Sequence, residues 1–326
     1  MNSVSIPCAQ YLRDIARGKD NPRDLSQADA RTLWAGALAG AITDLELGAV
    51  LIAMRIKGET VEEIAGFLEA SEAQSLCLRQ PASKFPPVVI PSYNGARNMP
   101  NLTPLLAILL ARQGVPVLVH GKMGDVDIAP GIAAPRRTTS AEIFSVLGFH
   151  PACDAGEVDA RLARGEPAFL TIQTLNPELA RVLSLRRVLG VRNSAHSLVK
   201  MLQPFEGPAL RLASYTHPEY QRMLSDYYSQ HAPSARGDVL LARGTEGEVV
   251  ANARRGAAID WFHGGVLTRL VEGETGTSVS LPNLPDSREA VATALWIQGA
   301  LSGERPVPDP IKRQIEAILE VLHGMR

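Results

Sequence analysis

Over residues 1–78 the apolar positions recur at helical spacing. The runs LWAGALAGAI, LGAVLIAMRIKG and VEEIAGFLEA are each preceded by a hydroxyl with a carboxylate three residues on: Ser26 with Asp29, Thr43 with Glu46, Thr60 with Glu63. That spacing lets hydroxyl and carboxylate satisfy the donors left unpaired at a helix start, so it predicts three helix N-termini. Gly58 after Lys57 predicts a helix stop. From Pro81 the texture changes. PPVVIPSYNGARNMPN reads as a short β-branched strand and a turn-rich loop, LTPLLAILLARQG as a buried helix, and VPVLVHG as a second strand. Strand, helix, strand in that order predicts a parallel sheet covered by helices. A long loop, KMGDVDIAPGIAAPRRTTS, leads to a further capped helix at Thr139 and Glu142. PAFLTIQ, PALRLASY, DVLLARG and TSVSL repeat the strand pattern, and the chain closes on the helices REAVATALWIQGAL and DPIKRQIEAILEVLHGM. The fold class expected is therefore α/β with a small all-helical N-terminal domain: residues 1–78 helical, residues 79–326 an α/β domain with a mainly parallel sheet.

The chain has 326 residues, enough for two domains and a large core. Apolar residues are 45% and charged residues 21%, ordinary for a soluble globular protein. No stretch approaches the ~20 apolar residues of a membrane span, and the N-terminal segment, charged by Arg13, lacks the apolar run of a signal peptide. Cys8, Cys77 and Cys153 are far apart and show no zinc spacing, which fits reduced thiols. A cytoplasmic location is expected, with no metal, no cofactor and no membrane partner. Aromatics at 5% argue against a protein built on base-stacking platforms, and a net charge of −1 means that any affinity for a polyanion must reside in a patch.

One stretch supplies such a patch. Arg181, Arg186, Arg187, Arg192 and Lys200 follow one another, with His196 among them, and no Asp or Glu occurs from Leu179 to Phe205. A basic run without acidic neighbours is a local positive field that attracts polyanions; a solvated helix face is the alternative. If the chain is helical from Arg192, then Arg192, His196 and Lys200 share one stripe and leave Leu198, Val199 and Leu202 to a core. Arg97 and Lys122 follow strand ends, where α/β folds bind ligands, and Arg136 and Arg137 precede a helix N-terminus, which favours anions. Surface charge is the alternative for these four, and Arg254 and Arg255 are outlying candidates. Tyr93 suits either base stacking or a core position.

The segment LGAVLIAMRIKGETVEEIAGFLEA resembles the N-terminal helical domain of the anthranilate phosphoribosyltransferase and nucleoside phosphorylase family, through its apolar helix, Arg-x-Lys-Gly-Glu-Thr and Glu-Glu-Ile. The likeness runs through the chain in order. It implies the nucleoside phosphorylase/phosphoribosyltransferase-type architecture: a helical domain, joined by helices from about residue 176 to 200, a larger α/β domain, a cleft between them, and a homodimer formed through the helical domain. The family's catalytic motifs are replaced. Its Gly-Thr-Gly-Gly-Asp-Gly diphosphate loop, whose bare glycines bring N–H groups to phosphate, corresponds to Pro91-Ser92-Tyr93-Asn94-Gly95-Ala96. Its Lys-His-Gly-Asn corresponds to Val119-His120-Gly121-Lys122, which leaves His120 a structural residue. Its magnesium-binding acids correspond to Val249 and Val250; valine cannot hold a hard cation, and Glu246 or Glu248 could substitute only if the loop rearranged. Leu189-Gly190-Val191-Arg192 keeps the family's Leu-Gly-x-Arg, and Val199 to Pro204 replaces a small-residue turn with what reads as a basic helix.

These departures resemble the YbiB-type branch, which implies a non-catalytic homodimer that binds DNA or RNA through phosphates, with catalytic residues none and little sequence preference. The nucleic-acid-binding residues expected are Arg186, Arg187, Arg192, His196, Lys200, Arg97, Lys122, Arg136 and Arg137. Two other classes stay open: a phosphoribosyl- or pentosyltransferase with an altered site, and a scaffold for some other acidic macromolecule. Val249 and Val250 weigh against the enzyme, and the near-zero net charge weighs weakly against the binding module.

Overall fold

The hydroxyl–carboxylate pairs cap helices where their spacing places them. In the computed structural model, which describes residues 6–17, 22–124, 136–275 and 283–325, the chain opens with α1 (Cys8–Ile15), α2 (Gln27–Ala39), α3 (Asp44–Lys57) and α4 (Val61–Ala73). Ser26 accepts the Asp29 N–H at the start of α2. Thr43 and Thr60 form complete capping boxes with Glu46 and Glu63, and Gly58 closes α3. The helices α2 and α4 cross closely because α4 carries Gly66 at the contact: a Cβ there would lie 2.2 Å from the Gln27 carbonyl oxygen. Trp34 stacks on Phe67 at 4.7 Å between ring centroids and donates its indole N–H to Ser71, which satisfies the polar edge of a fully buried ring.

Next come β1 (Val88–Ser92), α5 (Thr103–Arg112), β2 (Val117–Gly121), α6 (Ser140–Val146), α7 (Ala155–Ala163) and β3 (Ala168–Thr171). Four short helices follow: α8 (Ile172–Leu175), α9 (Pro177–Ser184), α10 (Arg186–Leu189) and α11 (Ala195–Leu198). The chain ends with β4 (Leu210–Tyr215), α12 (Pro218–Gln230), β5 (Val239–Arg243), β6 (Ile259–His263), β7 (Val266–Val271), α13 (Ala290–Ser302) and α14 (Asp309–Gly324). Among the described residues the strands form one seven-stranded sheet, ordered β3-β2-β1-β4-β5-β6-β7. The first five of these are parallel; β6 and β7 are antiparallel additions. The parallel strands β1 and β2 are buried along their whole length, as strands covered on both faces must be.

Two apolar layers sandwich the sheet. One joins the N-terminal helices, α9, α11 and α12 to the face carrying Val89, Leu118, Leu170 and Leu241. The other joins α5, α6, α13 and α14 to the face carrying Val88, Ile90, Val119 and Leu240. The short helices α9 and α11 pack on α2 and α4, so the segment between β3 and β4 is continuous with the N-terminal bundle. At the seam, Ser194 donates to the Glu59 carboxylate at 2.5 Å.

Three expectations need correction or completion. The basic stretch is not one helix: Gly190 takes a left-handed conformation (φ 74°) that ends α10, and α11 begins only at Ala195, so Arg192 precedes the helix that was to carry it. The inward positions nevertheless hold, since Leu198, Val199 and Leu202 are buried. The β6–β7 hairpin went unpredicted, although Gly264-Gly265 between two apolar runs is a hairpin signal. The strand expected at TSVSL, residues 277–281, lies outside the described residues. No helix among the described residues is long and apolar enough to cross a membrane.

Candidate nucleic-acid interface

Parallel strands present their carboxyl ends, and the loops after them, along one edge of a sheet. Here the loop after β1 (residues 93–102) and the loop after β5 (residues 244–250) meet at that edge. Glu248 is buried and inserts its carboxylate into the first loop. Its Oε1 accepts the N–H groups of Asn94 and Gly95 at 2.8 and 2.7 Å, and its Oε2 accepts the Ser92 hydroxyl at 2.5 Å. Glu246 does the same one turn on, accepting the N–H groups of Arg97 at 2.6 Å and Asn98 at 2.9 Å, with the Asn98 side-chain amide at 2.6 Å. Burial works to raise the Glu246 pKa, but these donors outweigh it and hold the carboxyl below the usual carboxylate range. The turn between the two acids depends on Gly247, which sits at φ 90° with the Asn94 side chain 1.5 Å from where a Cβ would stand.

Two of the expected basic residues bond to this pair of loops, and a third, Arg192, acts on one of them through its charge. Lys200 donates from Nζ to the Gly247 carbonyl at 3.4 Å, and Arg137 donates from Nη1 to the Gly95 carbonyl at 3.2 Å. Burial lowers the Lys200 pKa to about 8; Glu248 works to raise it, and the positive charges of Arg192 and Arg137 lower it further. Lys200, Arg192, Arg137 and Glu248 thus form one electrostatic cluster. Arg192 is exposed, and so is Arg97, whose backbone N–H Glu246 fixes. Arg136 is exposed and ion-paired with Glu142.

The other expected site residues stand differently. Lys122 follows β2 directly, and its side chain is buried, not displayed. His196 folds back on its own turn, with Nδ1 3.2 Å from the Asn193 side-chain oxygen, so it does not continue a stripe between Arg192 and Lys200. Arg186 and Arg187 belong to α10, ahead of the Gly190 break, and are not among the charges that act on Lys200. The Arg254 backbone N–H donates to the Asn252 side-chain oxygen, and Arg255 donates from Nε to the Glu274 carbonyl, beyond β7. Tyr93 and His120 share a buried hydrogen bond of 2.8 Å. Burial pushes the imidazole down to about 3 and the phenol well up, so both are neutral near pH 7 and serve the core.

The residues present do not fit a catalytic magnesium. Val249 and Val250 are buried in the apolar layer beneath β5. The two carboxylates that sequence left as possible substitutes point at N–H groups, and a shell of donor hydrogens repels a cation. The importance of Glu246 and Glu248 as loop anchors was not read from sequence; the only signal was a glycine flanked by two acids beside a turn-rich loop.

Comparison with known proteins gives concordant likenesses. Residues 9–74 match the glycosyl transferase family helical bundle domain. The chain is 42% identical over 311 residues to the YbiB protein of Escherichia coli K12, covering 95% of this chain and 92% of that one. It is 30% identical over 185 residues to the anthranilate phosphoribosyltransferase of Methylocella silvestris, covering 57% of this chain and 49% of that enzyme. The fold matches the Thermus thermophilus anthranilate phosphoribosyltransferase with TM-score 0.69 at 19% identity, covering 96% of this chain and 88% of that one. The Saccharomyces cerevisiae enzyme, solved with PRPP and Mg, matches with TM-score 0.70 at 15% identity, covering 99% and 91%.

Proposed function

Given that the chain belongs to the anthranilate phosphoribosyltransferase-like glycosyl transferase family 3 proteins, as a relative of YbiB, we propose that it is a non-catalytic protein that binds nucleic acid through phosphates, as a homodimer, with little sequence preference. The observation that carries this reading is the gathering of Lys200, Arg192 and Arg137 around two loops whose anion-binding N–H groups are already engaged by Glu246 and Glu248. Side-chain cations at the carboxyl edge of the sheet suit the spaced phosphates of a polymer, which they grip without reading bases. The experiment is a shift assay on single- and double-stranded DNA and RNA over a salt series. Phosphate gripping gives a log–log slope of about −0.7 per contact for single strands; no shift at about 50 mM salt would refute the reading.

A second reading, a phosphoribosyl- or pentosyltransferase, is favoured by the names of the relatives. Against it stand the valines at 249 and 250 and the filled 94–99 turn. We expect no anthranilate phosphoribosyl transfer and no saturable binding of magnesium phosphoribosyl pyrophosphate by calorimetry. Binding with turnover would promote the enzyme over the binding module.

Self-association is proposed through α3. Leu45, Ala49, Ile52 and Ile56 lie at i, i+4, i+7 and i+11, one stripe of the helix, and Leu45 and Ile56 are 84% and 76% exposed. An apolar stripe of this kind on a water-facing helix is suited to a two-fold partner. Sedimentation at low micromolar concentration is expected to give twice the 35.0 kDa of one chain, and Leu45→Arg with Ile56→Glu to give the single-chain mass. A wild-type protein that sediments as one chain removes the dimer.

A further inference from the structure

Lys57 and Lys312 meet carboxylates, at 2.6 Å to Asp24, 2.8 Å to Glu63 and 3.0 Å to Asp309, and Lys84 is exposed to water. Lys200 stands otherwise. Among the described residues its Nζ forms no ion pair, and its one hydrogen bond goes to the Gly247 carbonyl at 3.4 Å. Glu248, the carboxylate whose charge acts on it, is already bonded to the Asn94 and Gly95 N–H groups and the Ser92 hydroxyl. The guanidinium charges of Arg192 and Arg137 act on it from the other sign. Burial is the larger influence, Glu248 opposes it, and the two arginines add to it, so the ammonium gives up its proton at about 8. The side chain is half-buried and keeps contact with solvent. A lysine amine that is desolvated and set beside other cations is in the arrangement that turns this residue into a nucleophile.

We propose that Lys200 is an acylation site, whose amine takes an acyl group from a small activated donor of the thioester or acyl phosphate class. In that step the neutral amine gives its electron pair to the acyl carbon. The bond from that carbon to sulfur or to the phosphate oxygen breaks, and thiolate or phosphate leaves with the electrons of that bond. The nitrogen loses one proton, to the leaving group or to water. The amide that results carries no charge, so the cluster keeps Arg192 and Arg137 and loses its third cation. At about pH 7.5 an amine that titrates at about 8 holds on the order of a hundredfold more free base than an ordinary lysine at about 10.4. A less basic amine is also a weaker nucleophile; for thiolates that loss is about half the difference on a logarithmic scale, which leaves a net advantage of about tenfold. The site goes beyond the nucleic-acid reading and does not depend on it; where that reading holds, acylation removes one phosphate contact and weakens binding.

The probes are acetyl phosphate and acetyl-coenzyme A, each incubated with the full-length protein at about pH 7.5, with acetylation at each lysine followed in time by peptide mass spectrometry. Lys84 and Lys312, both exposed, are the internal standards. We expect Lys200 to react about tenfold faster than either standard with at least one donor, and a preference between the donors names the source of the acyl group. A Lys200 rate no greater than that of the standards, with both donors, would overturn the proposal. Arg192→Gln, at an exposed position, removes one of the two cations and should slow Lys200 severalfold while leaving Lys84 and Lys312 unchanged. A folded variant in which Lys200 reacts as fast as in the wild type would also overturn it, since the cluster would then have no part in activating the amine. Should that variant fail to fold, the wild-type pH profile decides. The Lys200 rate should level off above about pH 8 while the Lys84 rate climbs to about pH 10, and a parallel rise of the two would sink the idea. No nucleic acid enters these reactions, so their failure is distinct from failure of the binding function.

Discussion

Alanine at both Arg192 and Lys200 is expected to weaken nucleic-acid binding on the order of tenfold at 0.1 M salt, alike for all sequences, and to flatten the salt slope by about one to two units. The fold should survive, because Arg192 is exposed and removal of the Lys200 ammonium takes a charge out of a partly buried place. The same pair predicts a pH dependence whose sign is fixed. Lys200 in the free protein titrates at about 8, held down by burial and then by Arg192 and Arg137 against the pull of Glu248. Phosphate nearby favours the charged form, so binding takes up a proton and affinity falls as pH rises from about 7 to about 9.5. Lys200→Arg, always charged, should abolish that fall. For folding, the unfolded chain holds this proton more tightly than the native one, so the group adds stability as pH rises from about 8 toward the ordinary lysine value of about 10.4. A folded double variant with unchanged affinity and slope would move the interface elsewhere, and an unfolded one would mean that the two cations are structural.

The largest stability effect is expected at Lys57. Its ammonium lies 2.6 Å from Asp24 and 2.8 Å from Glu63, with the side chains of Lys57 and Glu63 only 4% and 0% exposed. Burial alone would lower the Lys57 pKa, but bonds to Asp24 and Glu63 more than offset it and raise it. Glu63 further accepts the N–H groups of Leu25 and Thr60. Lys57→Met leaves that carboxylate buried without its cation, at a cost of about 3–5 kcal/mol, read as a lower midpoint in urea. Glu63→Gln keeps an acceptor for the cap and should lose less. A loss under about 1 kcal/mol for Lys57→Met would class the pair with surface ion pairs.

That buried pair also explains what sequence could and could not reveal. Lys57, Gly58, Thr60 and Glu63 do local work: a helix stop, a capping box, an ion pair six residues long. Local work leaves a local pattern, and the family resemblance rested on it. The parallel strands were legible for the same reason, since β-branched runs buried on both faces differ in period from helices. The clasp between Glu248 and the Asn94 and Gly95 N–H groups spans more than 150 residues, and no periodicity records a contact at that distance. The basic stretch shows the middle case. Its charge was plain, but Gly190 breaks it into short helices, so charges that looked collinear are divided between α10, a loop and the segment after α11. Lys122 misled for another reason: loops after strands are usually exposed, and here the chain tucks the side chain in.

The burial of Val249 and Val250 also limits what these two positions can become. Both side chains belong to the apolar layer under the sheet, locked there by Gln314, which donates to the Val249 carbonyl and accepts the Ala251 N–H. Placing acids at these two positions would set carboxylates into hydrocarbon before any metal could meet them. An acid at either position alone is therefore expected to destabilise, and the neighbouring turn is already occupied by Glu246 and Glu248. The two valines thus work as a ratchet: an acid at either position is opposed by the hydrocarbon around it before a second could join it on a cation.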